Sequence, residues 1–310
     1  MERIIDIATD GQHLSTYRGF LKVERDGEEV GRIALDDIAA VIVHAHGVTY
    51  SNNLLVALAE HNAVLVACGR NHAPVACLLP LSGHHIQGAR MRAQWRAPAP
   101  VVKRAWQQIV RAKILAQAAN LAAIQAPSGG VAAFAARVRS GDPDNVEAQA
   151  ARRYWPLMMG RDFRRDRGAA GINALLNYGY TVLRACATRA VVAAGLHPTI
   201  GIAHANRANA FALADDVMEP FRPLVDFTAK ILFQQGETDV TARAKAALAQ
   251  LMVFDIETER GVSPVFACLG RLAGSLAHAF EAKGAPKLDL PSPASALHLA
   301  ALGQAIKAQP

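Results

Sequence analysis

The chain has 310 residues, 52% hydrophobic and 19% charged, which excludes a disordered polymer and leaves room for two cored domains. Its net charge of +7 is uneven: residues 82–190 carry 17 Lys and Arg against 5 Asp and Glu, and the remainder carries 16 against 21. A cationic segment of that kind suits a phosphate-backbone partner, whereas Cys68, Cys77, Cys186 and Cys268, widely spaced in apolar contexts with no CxxC pair, suggest neither a zinc knuckle nor a disulfide framework and read as reduced core residues.

The opening MERIIDIATDGQ has charges where a secretory leader needs an apolar run, and the longest uncharged stretches contain Gly, His, Pro and Asn. A soluble intracellular protein without membrane association is expected. RIIDIA, residues 13–17, FLKVER, EVGRIAL and DIAAVIVHA are short β-prone runs separated by turn signals such as Asp10-Gly11 and Asp26-Gly27. Residues 52–62 have helical spacing with Ser51 as N-cap, and VLVAC and PVACLLPL follow as apolar runs. Residues 1–81 therefore read as a small β-rich domain with one helix. His44, His46 and His72 read as turn or surface residues.

Residues 82–100 read as a hinge, Ser82-Gly83-His84-His85, followed by a basic helical piece, GARMRAQWRA. From residue 101 to 285 the pattern is helical almost throughout. A long Ala-rich helix over residues 101–124 carries Lys103, Arg104, Arg111 and Lys113, and Pro127 to Gly130 stops it. In the next segment Asp144 as N-cap would make Glu147 a capping-box residue. With Arg152 and Arg153 on the same helix, Glu147 also suits a metal site with phosphate-binding neighbours, and its local context does not choose. Arg161, Arg164, Arg165 and Arg167, set against Asp162 and Asp166, read as a mobile or solvated loop that orders on DNA. Asn173, Asn177 and Tyr178 bring polar groups onto an apolar helix and need partners there.

The densest stretch is GIAHANRANAFALADDVMEPFRPLVD, residues 201–226. Asp216 and Glu219 stand three apart and share a helical face. Pro220 and Pro223 lack backbone donors and kink or restart the helix just after Glu219. His204 lies a short loop upstream, so these side chains either converge on one metal ion or serve as caps, surface charge and a core histidine. Further on, Asp255, Glu257 and Glu259 read as a solvated rim. Residues 286–310 read as a Pro-rich hinge and a short amphipathic tail, either loose or docked on a partner.

Three pieces in order resemble the CRISPR adaptation integrases, the DNA endonucleases known as "Cas one". They are N-x-E-x-x-A at Asn145 to Ala150 followed by Tyr154, LNYGYTVL at Leu176 to Leu183, and the run from Gly201 to Pro223 ending D-x-M-E-P-F-R-P. That ending looks closest to the branch accompanying single-effector, type II systems. The resemblance implies an α+β chain: a small N-terminal β-rich dimerisation domain followed by a larger all-α catalytic, DNA-binding domain. It places the metal site on Glu147, His204 and Glu219, with Asp216 as a further catalytic acid and Mg²⁺ or Mn²⁺ as cofactor. Arg152, Arg153, Arg161, Arg164, Arg165, Arg167 and Arg222 would grip duplex DNA, with Asn173, Asn177, Tyr178, Asn206 and Asn209 in support. The implied reaction inserts captured DNA into a CRISPR array by 3′-hydroxyl attack at the repeat borders. The implied partners are double-stranded DNA, a second copy of the chain, the small ferredoxin-like "Cas two" protein and the large effector nuclease, in a prokaryotic cytoplasm. The alternatives are an idle DNA-binding scaffold and a repair nuclease for branched DNA.

Overall fold

The computed structural model describes residues 3–69, 74–204, 208–282 and 286–308. The chain divides into two compact units, one ending at His85 and the other beginning at Ile86.

The first unit holds strands β1 (Arg3–Ile7), β2 (His13–Tyr17), β3 (Phe20–Arg25), β4 (Glu28–Ala34), β5 (Ile38–Val43) and β6 (Thr49–Tyr50), helix α1 (Asn52–Glu60), and strands β7 (Val64–Cys68) and β8 (Pro74–Leu78). They form two four-stranded sheets, ordered β1-β5-β7-β8 and β4-β3-β2-β6. All six residues of β5 are buried, as expected for a strand paired in parallel on both edges. The Ser51 side chain accepts a hydrogen bond from the Leu54 N–H, the predicted cap, and seats α1 so that Leu54 and Leu58 enter the core. That core joins both sheets through Leu14, Leu21, Val41, Leu54, Leu58 and Leu65. His72 lies outside the described residues.

The second unit is helical but for one hairpin. Its elements are α2 (Gln87–Trp95), α3 (Ala99–Ala123), α4 (Gly129–Arg137), α5 (Val146–Met159), α6 (Ile172–Ala193), α7 (Ala212–Met218), α8 (Arg222–Gln234), α9 (Ala242–Gln250), strands β9 (Asp255–Thr258) and β10 (Gly261–Pro264), then α10 (Val265–Glu281) and α11 (Ala296–Ala308). The β-rich unit followed by a helical one is the expected α+β layout. Within the helical unit Asp255 and Glu257 lie on β9, paired antiparallel with β10 around a turn ending at Gly261, whose φ of +104° suits glycine. The C-terminal residues are not a loose tail: Leu299, Leu302 and Ile306 bury one side of α11, which packs on α3 and α8 of its own unit. Helix α3 lies against α4, α5, α8 and the turn after α7, so one rod positions every piece of the site described next. No helix among the described residues is long and apolar enough to cross a membrane.

Candidate active site

The first carboxylate stands at the start of α5. Asp142 and Asn145 adopt positive φ, +48° and +51°. The Asp142 carboxylate accepts from the N–H groups of Val146 and Glu147 at 2.9 and 3.0 Å, and Asn145 Oδ1 accepts from the Ala148 N–H. The cap is therefore Asn145, not Asp144, which turns away to pair with Arg139 at 2.8 Å. With its helix end capped by neighbours, Glu147 is free to face α3, and Lys113 Nζ lies 2.5 Å from its Oε1.

The second carboxylate stands where α7 ends. The chain passes through a single 3-10 turn, Glu219 to Phe221, before α8 starts at Arg222, as Pro220 and Pro223 lead one to expect. Glu219 is buried at 3% exposure, with Lys113 Nζ 2.5 Å from Oε2 and Arg222 Nε 2.9 Å from Oε1. Both oxygens of this buried carboxylate thus face a cation. Burial opposes the charge on Glu219, yet Arg222 and Lys113 together hold its carboxyl below the usual range. Burial likewise opposes the Lys113 ammonium, and Glu219 and Glu147 more than offset it. An ion cluster of this kind survives inside a protein only while every charge keeps its partner.

His204 is held by different means. Asp216 is fully buried and accepts from the Ile202 N–H at 2.6 Å, the Ala203 N–H at 3.2 Å and His204 Nδ1 at 2.6 Å. Gly201 makes the fit possible: a Cβ there would come within 2.9 Å of Ala212 Cβ and of the His204 carbonyl oxygen. The imidazole meets Trp106 edge-on, ring centres 6.0 Å apart. The Asp216 hydrogen bond raises the His204 pKa against the opposing effect of burial. A proton on Nδ1 serves that bond, which makes Nε2 the nitrogen available to a ligand when the ring is neutral. Asp216 and Glu219 share a face in sequence but divide the work, one fixing the histidine loop and the other facing Lys113.

Glu147 and His204 open onto one cavity of about 440 Å³, lined also by Lys103, Trp106, Gly141, Ile202 and Ala203. Among the described residues no three His, Cys, Asp or Glu side chains are gathered to hold a metal ion. The two glutamates meet through Lys113. The donor set nevertheless fits a hard divalent cation: two carboxylates, one of them buried, and one imidazole.

The other expected residues scatter. Arg152, Arg153, Arg161, Arg164 and Arg167 are exposed, whereas Arg222 is a half-buried counter-ion of Glu219 stacked over Tyr180. Arg165 turns inward and donates to Asn173 Oδ1 at 3.0 Å and Asn177 Oδ1 at 2.7 Å, and burial lowers its pKa. Asn173 also donates to the Arg164 carbonyl and Asn177 to the Arg167 carbonyl. The polar residues of α6 thus hold this loop by hydrogen bonds. Asn209 donates to Asp215, which pairs with Arg184; Tyr178 is buried beneath Lys245; Asn206 lies outside the described residues.

Two features escaped the sequence reading. Lys113 was one cation among several, yet it shares the buried face of α3 with Trp106, Ile109, Val110 and Ile114, and a lysine at that apolar spacing is the signal. Asp226 was overlooked because it sits in an apolar run. It lies fully enclosed with the Tyr180 and Tyr154 hydroxyls on it, and Asn120 donates to Tyr154 Oη at 3.0 Å.

A family model described as CRISPR associated protein Cas1 matches residues 5–249. A relative from Neisseria meningitidis, named CRISPR-associated endonuclease Cas1, is 36% identical over 91% of this chain and 93% of its own length. Another so named, from Pyrobaculum aerophilum, is 27% identical over 89% and 98%. Among solved structures, a casposase bound to its integration product superposes with a TM-score of 0.77 at 19% identity, covering 92% of each chain. A CAS1 protein from Thermotoga maritima gives 0.73 at 14% identity over 92% and 99%.

Proposed function

The chain belongs to the CRISPR-associated Cas1 family, and from that premise we propose that it is a metal-dependent DNA endonuclease and integrase inserting captured DNA fragments into a CRISPR array. The observation that carries this reading is the apposition of Glu147 and Glu219 about one point, beside a cavity that His204 shares. The type II-like ending of its longest motif agrees with the Neisseria relative.

Glu147, Glu219 and His204 Nε2 would hold Mg²⁺ or Mn²⁺. When bound, the ion supplies charge neutralisation for the phosphate and stabilises the entering or leaving oxygen of an in-line displacement. Asp216 fixes the His204 ring and its loop, so the imidazole pays little ordering cost on binding. Lys103 sets a positive charge on the cavity wall, where a phosphate would sit. A 3′-hydroxyl of the captured fragment attacks a phosphodiester at the repeat border, and the displaced strand leaves with its own 3′-hydroxyl. One phosphodiester replaces another, so no energy source is consumed; water in place of the hydroxyl gives endonuclease cleavage. The exposed Arg152, Arg153, Arg161, Arg164 and Arg167 supply backbone contacts that carry little sequence information. The reading extends to a homodimer formed through the β-rich unit, bridged by the Cas2 protein in the cytoplasm, with the effector nuclease as a further partner.

The idle-scaffold reading draws on one observation: Lys113 neutralises both glutamates. Strand transfer of a short duplex with free 3′-hydroxyls into a supercoiled plasmid carrying repeats separates the two. Product is expected only with divalent metal and a 3′-hydroxyl, and Glu147→Ala is expected to lower it by roughly a hundredfold or more while DNA binding survives. Product undiminished in Glu147→Ala sinks the site; a folded, DNA-binding wild-type chain that makes none, with Cas2 present, favours the scaffold.

A further inference from the structure

The two glutamates come from different parts of the fold, the first turn of α5 and the turn between α7 and α8. Like charges brought together from separate elements repel unless something stands between them. Here that is the ammonium of Lys113, which reaches from the buried face of α3 to within 2.5 Å of Glu147 Oε1 and 2.5 Å of Glu219 Oε2. Its two contacts differ in their surroundings. The one to Glu147 meets an acid that is half-buried, the one to Glu219 an acid that is buried. Lys113 thus stands at the point where the donor set would hold a divalent ion. A hard cation liganded at about 2.1 Å by the same two oxygens leaves no space for an ammonium against both.

Resting on the metal-site reading above, we propose that Lys113 is a built-in counter-ion: it holds Glu147 and Glu219 in apposition while no divalent cation is bound and competes with that cation for their oxygens. Arg222 Nε also stands 2.9 Å from Glu219 Oε1, so Glu219 has a second positive neighbour beside Lys113. The arrangement has two consequences. The site is preassembled in the metal-free protein, and divalent-ion affinity is lower than the two carboxylates alone would give. The concentration of free divalent ion at which the centre fills is therefore set by a residue that is not a ligand.

The test is Mn²⁺ binding to the metal-free full-length chain, measured by calorimetry and by the paramagnetic signal of free Mn²⁺, for wild type, Lys113→Met and Glu147→Gln. Lys113→Met is expected to bind Mn²⁺ on the order of tenfold more tightly, because one unit charge has been removed from beside the ion. Without metal it is expected to melt below wild type, and added Mn²⁺ is expected to close the gap. Unchanged or weaker Mn²⁺ binding by Lys113→Met, with uptake that still depends on Glu147, overturns this proposal alone. No uptake by any variant, or uptake indifferent to Glu147→Gln, overturns the metal site and this proposal with it. Should Lys113→Met fail to fold, amine acylation of the wild-type chain read by mass spectrometry decides. Lys113 is expected to be protected in the metal-free protein and more reactive with Mn²⁺, and equal protection in both overturns the role.

Discussion

In the first unit the core around Leu14, Leu21, Val41, Leu54 and Leu58 is apolar throughout, whereas the second unit sinks Lys113, Asp216, Glu219 and Asp226 below its surface among helices. Among the described residues, every charged residue that is buried belongs to the second unit. An apolar core tolerates loss of a contact in proportion to the area and volume removed. A buried ion cluster does not, since removing one member strands the others without water. The first unit is built for stability, and the second gives some up to hold charges in place.

The sharpest way to break that contrast is Asp216→Ala. It strips the acceptor from the Ile202 and Ala203 N–H groups and from the His204 ring together. A loss of about 3–5 kcal/mol is expected, the scale for breaking a buried charged pair, together with loss of strand transfer. Urea unfolding followed by tryptophan fluorescence measures it, because Trp95, Trp106 and Trp155 all lie in the second unit and Trp106 touches His204. A fall under about 1 kcal/mol, the size of an ordinary neutral hydrogen bond, would show that water replaces the carboxylate.

Leu58→Ala tests the other side. Leu58 is fully buried on α1, and truncating it is expected to cost about 2–4 kcal/mol in the first unit. Hydrogen exchange of β5 and β7 should quicken while that of α3 and α6 holds, and strand transfer should persist wherever the variant stays folded. Equal quickening in both units would mean that they unfold as one and that the contrast is not energetic.

The same contrast explains what the sequence disclosed. Strands, the Ser51 cap and the restart after Glu219 were legible because alternation, a capping hydroxyl and two prolines act locally. The proposed metal ligands come from family likeness and not from spacing, since Glu147 and Glu219 lie 72 positions apart and meet only across α3. The Asn145 cap was misread as Asp144 because the left-handed turn at 142–145 draws in a carboxylate from three residues upstream of that cap. Lys113 and Asp226 were missed for a common reason. A charged residue in an apolar pattern reads as a surface position until its partner is known, and the partners, Glu219 for one and Tyr180 for the other, are remote in sequence.

Asp226 supplies the mildest probe, because its charge is the least compensated of the four. Enclosure pushes its carboxyl up to about 6, against the lowering effect of the Tyr180 and Tyr154 hydroxyls and of the more distant Lys113 and Arg222. A carboxyl whose folded pKa lies above its unfolded value of 3.8 binds its proton more tightly in the fold. Its contribution to stability is therefore full below pH 3.8 and is lost as pH rises to about 6, above which it stays constant. The shift corresponds to at most about 3 kcal/mol, and partial relaxation around the ionised group reduces the expected figure to about 1–2 kcal/mol. Asp226→Asn keeps the shape and removes the titration. Wild type is expected to exceed the variant by more at pH 4.5 than at pH 7.5, with the whole change complete near pH 6. A difference that stays flat from pH 4.5 to 7.5 would mean that Asp226 keeps one protonation state throughout. A difference that widens with pH would mean that the two tyrosines hold its anion as firmly as Lys113 and Arg222 hold Glu219, and that the second unit buries no uncompensated charge.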